Sequence, residues 1–138
     1  MLAEKFHAKV QSLLFAALIL LISLPMSLRA DEALVSGQYL SAAGQEIQLQ
    51  ITVANPAPST LIVIQKLPSG TVVEAASPAF HQYDGGKGEG KWLLTQIKPG
   101  RYTLSLRLPR PVASTEISGE IRYKDPASGR MINLPVRP

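Results

Sequence analysis

The sequence predicts an all-β domain of two packed sheets, preceded by an N-terminal apolar segment of export type. Three observations carry this. Apolar and polar residues alternate with period two over several runs, the signature of strands with one buried and one wet face. Clusters of Pro, Gly, Asn and Ser separate those runs at regular intervals. No run with helical periodicity occurs after residue 30.

The N-terminal segment comes first. Lys5 and Lys9 stand against one acid, Glu4, and an apolar run from Leu13 to Leu24 follows. Pro25 ends any helix formed by that run, because proline lacks an amide proton and clashes with the preceding turn. Met26-Ser27-Leu28-Arg29-Ala30 then leads to a small residue. A basic start, an apolar middle and a small residue at the cut are the parts of a secretory signal peptide. Leu28 and Arg29 are unusual just before such a cut. Residues 1–30 are therefore expected to be a signal peptide helix cleaved after Ala30. The alternative is an uncleaved membrane anchor, since the uncharged stretch Val10–Leu28 has 19 residues, close to the ~20 a spanning helix needs. Either reading places residues 31–138 outside the cytoplasm, as a periplasmic or secreted domain or a single-pass anchored one facing the periplasm or exterior. The chain has no cysteine, which removes both disulfides and lipid attachment at a cysteine.

Charge narrows the partners. Removing Lys5, Lys9 and Arg29 from the 14 basic residues, and Glu4 from the 10 acidic ones, leaves 11 against 9, a net of +2. Those basic residues are scattered, whereas nucleic-acid binding needs a clustered basic face. No nucleic acid is expected, and a membrane only through an uncleaved N-terminus. The remaining 108 residues suffice for one domain.

The strands follow in order. Ala33–Leu40 is a candidate with Val35 and Tyr39 on one side, and Ser41–Gly44 turns the chain. Gln45–Val53 alternates most cleanly, with Ile47, Leu49, Ile51 and Val53 on one face. Asn55-Pro56-Ala57-Pro58 breaks pairing, because proline cannot donate to a ladder. Leu61–Ile64 is a continuous apolar run, expected to be covered on both faces or to cross the core. Leu67-Pro68-Ser69-Gly70 has the spacing of a type II turn. Thr71–Ala76 is a short strand, and Ser77–Lys91 one long irregular segment. Trp92–Ile97 is a strand, and Lys98-Pro99-Gly100 a turn. Arg101–Leu108 alternates with Tyr102, Leu104, Leu106 and Leu108 inward, until Pro109-Arg110-Pro111 blocks extension. Thr115–Tyr123 puts Ile117, Gly119, Ile121 and Tyr123 on one face. Lys124–Arg130 is a hairpin loop and Met131–Val136 the last strand. About seven such strands predict an immunoglobulin-like Greek-key sandwich without the cysteine pair of antibody domains. Trp92, Tyr102, Leu104 and Ile51 are expected at the centre of its core.

The order of Val53–Pro56, Leu67–Gly70, Val73–Ser77, Trp92–Leu94 and Ile97–Gly100 resembles bacterial envelope domains of the DUF11 type and related immunoglobulin-like surface repeats. The resemblance covers roughly two-thirds of residues 31–138 and implies a spacer or adhesive module. This chain carries a single copy. Gln65 and Lys66 stand before the Leu-Pro-Ser-Gly turn where an Asp or Asn is usual, so no calcium role is carried over.

The residues offer little chemistry. His81 is the one histidine after residue 30, too few for a multi-histidine metal site, and no cysteine is available to help. No G-x-S-x-G elbow exists. Gly85–Gly90 lacks both the G-K-S/T ending and the following helix of a phosphate-binding loop. No catalytic, cofactor or metal residue is expected. The candidate binding loop is Phe80, His81 and Tyr83, since loop aromatics bury large area with few rotatable bonds. Within it Phe80 is expected to plug the end of the sandwich, and Tyr83 is read equally as packing over it or as contacting a ligand. The short proline-rich pieces Pro109–Pro111 and Leu134–Pro138 are read as protection of strand edges. The expected role is a non-enzymatic interaction or assembly component of a bacterial envelope, with a protein partner. The alternative is a carbohydrate- or small-ligand-binding module stacking its ligand on Trp92, Tyr83 and Phe80, which needs Trp92 exposed.

Overall fold

The computed structural model describes residues 33–138; the expected signal peptide, 1–30, lies outside the described residues. Among the described residues nine strands and one short helical turn occur: β1 (Val35–Ser41), β2 (Gly44–Val53), β3 (Thr60–Lys66), β4 (Ala75–Ser77), β5 (Gln82–Asp84), β6 (Glu89–Thr95), β7 (Gly100–Val112), a 3-10 turn at Ser114–Glu116, β8 (Ser118–Lys124) and β9 (Met131–Val136). They form two antiparallel sheets, one ordered β1-β2-β7-β4 and the other β5-β6-β3-β8-β9.

The alternation read in the sequence sets the core. In the first sheet Ile47, Leu49 and Ile51 of β2 lie opposite Leu106, Leu104 and Tyr102 of β7. In the second, Val63 of β3 sits between Trp92 of β6 and Ile121 of β8. Apart from Tyr102, these side chains, with Val35, Val53, Leu61, Leu108, Tyr123 and Val136, make one buried cluster. Full burial of each large aliphatic side chain contributes about 1.5–3 kcal/mol. Among the described residues the members of the cluster lie between Val35 and Val136, within the compact unit Ala33–Pro138.

At one flank the sheets come close. A Cβ on Gly37 of β1 would lie 2.8 Å from Ile121 Cδ1 and 2.9 Å from Val136 Cγ2, so a side chain there would force those methyl groups to shift. Nearby, Gln65 is the one buried polar side chain among the described residues, 0% exposed. Tyr39 Oη donates to its Oε1 at 2.9 Å, and its Nε2 donates to the carbonyls of Lys66 and Ser118, each at 3.1 Å. A fully satisfied amide escapes the penalty of burying an unpaired one.

Several expectations are corrected. Tyr102 is only half-buried, because its hydroxyl donates to the Lys98 carbonyl at 2.8 Å and accepts from the Lys98 amide at 3.0 Å. Bonding to the turn holds the ring at the margin of the core, not its centre. Leu61–Ile64 extends to Thr60–Lys66 and is not covered throughout on its outer face, where Ile64 is buried but Ile62 is half-exposed. Ser77–Lys91 is not one irregular segment, since it holds β5 and the start of β6. The glycines suggested a loop, but Gly90 is a strand residue whose missing side chain is replaced by a neighbouring ring.

Pro109-Arg110-Pro111 does not block the strand, because β7 runs on to Val112. The pairing with β2 bulges here, from Glu46↔Arg107 to Gly44↔Val112, and Gln45 Nε2 caps the Pro109 carbonyl at 3.0 Å. Proline is tolerated in a strand at a bulge or open edge, where its missing donor leaves no ladder bond unmade. The same prolines explain why the expected strand Thr71–Ala76 shrinks to Ala75–Ser77. Extending the register Ala75↔Arg107 would set Val73 level with Pro109 and Thr71 level with Pro111, where β7 has no N–H to offer.

Candidate functional site

The aromatic segment expected to bind a partner is folded onto the body. Tyr83 of β5 pairs with Gly90 of β6, and the Phe80 ring lies across Gly90, where a Cβ would come within 2.4 Å of it. Phe80 stacks on Tyr83 with ring centroids 5.4 Å apart and meets Trp92 at 4.4 Å. Aromatic pairs at such distances add to the energy of burial. Trp92 is 1% exposed, and its Nε1 donates to the Pro78 carbonyl at 2.7 Å. It therefore presents no face on which a sugar could stack. The Tyr83 hydroxyl donates to the Thr71 carbonyl, and burial, with a smaller contribution from the charge on Asp84, raises its pKa.

The three predicted residues thus differ in placement. Phe80 and Tyr83 are half-buried against the core, while the His81 side chain is exposed and its amide donates to the Lys91 carbonyl at 2.7 Å. The structure brings Phe80 and Tyr83 together with Trp92.

The glycine-rich turn after β5 is pinned from both sides. The Leu67 amide donates to the Gly88 carbonyl at 2.7 Å, the Gly70 amide to the Gly85 carbonyl at 2.9 Å, and the Lys87 amide to Asp84 Oδ1 at 3.2 Å. A Cβ on Gly88 would fall 2.4 Å from the Leu67 carbonyl oxygen, and its φ is +68°, so glycine is required there on both counts. Among the described residues no group of three or more His, Cys, Asp or Glu side chains is gathered in space.

The sequence reading missed a groove of about 610 Å³ between the β3–β4 connection and the far half of β7. Its walls are largely apolar: Pro68 and Val72 on one side, Leu108, Pro109, Pro111 and Val112 on the other, with Glu116 nearby. It opens where Thr71–Val73 parts from β7, before the Glu74 amide donates to the Arg107 carbonyl at 2.8 Å, leaving Val72 65% exposed. The available signal was two prolines two residues apart at the end of an alternating strand. They denied β4 a partner at that point.

On the outer face of the second sheet Arg122 Nε donates to Glu120 Oε1 at 2.7 Å. The hydrogen bond, reinforced by the charges of Arg122 and Lys66, lowers the Glu120 pKa.

Comparison with protein-family models gives no match to this chain, and comparison with curated proteins gives none either.

Proposed function

We propose that this protein is an exported, non-enzymatic immunoglobulin-like domain that serves as an interaction or assembly component of a bacterial envelope. The observation that carries the reading is the strand order. With the three-residue strands β4 and β5 set aside, β1-β2-β7 faces β6-β3-β8-β9. The chain changes sheet between β2 and β3, between β6 and β7, and between β7 and β8. This order matches the A-B-E and C-F-G sheets of the immunoglobulin-like sandwich, with β6 as the additional strand beside C. It supports the Greek-key assignment and agrees with the resemblance to envelope domains of the DUF11 type.

Fold alone does not fix function; the role rests on what the domain presents. The segment before it has the three parts of an export signal. Its best candidate chemistry, the aromatic group at Phe80 and Tyr83, is spent largely on internal packing. What remains for a partner is the groove beside β7, loops and strand edges, which suit protein contacts.

Cross-linking the protein in intact cells, followed by capture from the envelope fraction, tests the reading. A cross-linked envelope protein is expected. Recovery of an uncross-linked monomer alone contradicts it.

A further inference from the structure

Among the described residues the two sheets end in four edge strands: β1 and β4 in one, β5 and β9 in the other. An edge strand offers unpaired N–H and C=O groups to other chains, and proteins blunt such edges by shortness, charge, proline or a bulge. β4 and β5 have three residues each. β9 contains Pro135 and is flanked by Arg130 and Arg137. Along Val35–Tyr39, β1 uses none of these devices. Its seven residues, Val-Ser-Gly-Gln-Tyr-Leu-Ser, carry no charge and no proline. Its one irregularity is a register shift at Leu40, which leaves Val35–Tyr39 evenly paired with β2. Leu40 itself is 51% exposed.

We propose that β1 is a docking edge, and that its occupant is β1 of a second copy of this chain, running antiparallel across a two-fold axis. The inference rests on the reading of the domain as an interaction component and names its partner. Charge argues for self-pairing. The register that pairs Val35–Ser41 with its own copy sets Gln38 opposite Gln38 and Ser36 opposite Leu40, so no like charges meet. Like charges directly opposite are what penalise most self-paired strands. The outward residues Ser36 and Gln38 also continue an uncharged face across β2, where they lie level with Thr52 and Gln50. A two-fold pairing uses the same patch on both copies and consumes it. Because the other three edges are blunted, assembly stops at two.

Analytical ultracentrifugation of the protein recovered from the envelope fraction tests this over a range of concentrations. The unaltered domain is expected to be a dimer. Ser36→Lys with Gln38→Lys, and separately Ser36→Glu with Gln38→Glu, should each halve the mass while leaving the circular dichroism spectrum and thermal transition of a folded domain, since both side chains are exposed. An equimolar mixture of the two variants should recover the dimer mass, as opposite charges now face each other. An unaltered domain that stays monomeric at every concentration overturns the proposal. So do a lysine variant that remains dimeric, a mixture that stays monomeric, and an open-ended series of higher masses. A monomer that still cross-links to another envelope protein removes the β1 pairing and leaves the proposed function standing.

Discussion

Tyr39 of β1 donates a 2.9 Å hydrogen bond to the buried amide oxygen of Gln65 on β3, tying one sheet to the other through the core. Gly119 of β8 makes this contact possible, since a Cβ there would lie 2.7 Å from the Tyr39 hydroxyl. Tyr39→Phe leaves the Gln65 Oε1 without that partner inside the core, and should cost about 1–3 kcal/mol by chemical denaturation. An unchanged midpoint would show that the bond contributes nothing.

The same hydroxyl predicts an alkaline signature. Burial pushes the Tyr39 pKa up to about 12, partly offset by the Gln65 hydrogen bond, whereas an unfolded tyrosine ionises near ~10. Between those values the folded state retains the proton and the unfolded state releases it, so stability falls as pH rises from roughly 10 to about 12. Below that window both states are protonated and the contribution is intact. Tyr39→Phe should be less stable at neutral pH yet decline less steeply over this window. Parallel declines would contradict the assignment.

Gly90 and Phe80 form a second testable pair. Gly90→Ala drives a methyl group into the Phe80 ring, and overpacking of this kind costs about 1–3 kcal/mol. Phe80→Ala removes both the ring and the clash. The double variant should therefore be more stable than the sum of the single effects predicts, by an interaction of about 0.5–3 kcal/mol. Strict additivity in thermal melts would show that the ring does not sit over the glycine.

Leu104 and Tyr102 are two residues apart on one face of β7 but differ in depth. Leu104→Ala opens a cavity in the core and should cost about 2–5 kcal/mol. Tyr102→Phe keeps the ring and loses the hydroxyl bonds to Lys98, for about 0.5–1.5 kcal/mol. Equal losses in urea titrations would contradict the placement of Tyr102 at the margin.

The sequence reveals most of this body because its long strands alternate. Ile47, Leu49, Ile51, Leu104, Leu106 and Ile121 are all inward as their spacing requires. Tyr102 was misjudged because alternation gives a side chain's face but not its hydrogen-bond partner. β5 was hidden because its three residues are too short to show a period. The bond between Tyr39 and Gln65 spans 26 residues of chain, a pairing that follows only from how the sheets pack. At the candidate loop, the aromatic residues were visible but their contact with Trp92 was not.

The groove beside β7 tests the account of the prolines. Replacing Pro109 and Pro111 with threonine restores two N–H groups opposite Val73 and Thr71. The ladder with β4 should then continue, and the amides of Val72 and Val73 should gain protection from hydrogen exchange. No gain in protection would show that something other than the missing donors holds the two segments apart.

The export of the domain is the most directly testable part of its proposed role. Fractionating cells and sequencing the N-terminus of the recovered protein decides it. The account predicts recovery outside the cytoplasm with a chain beginning at Asp31, after loss of residues 1–30. Recovery only from the cytoplasm, with Met1 in place, would contradict it.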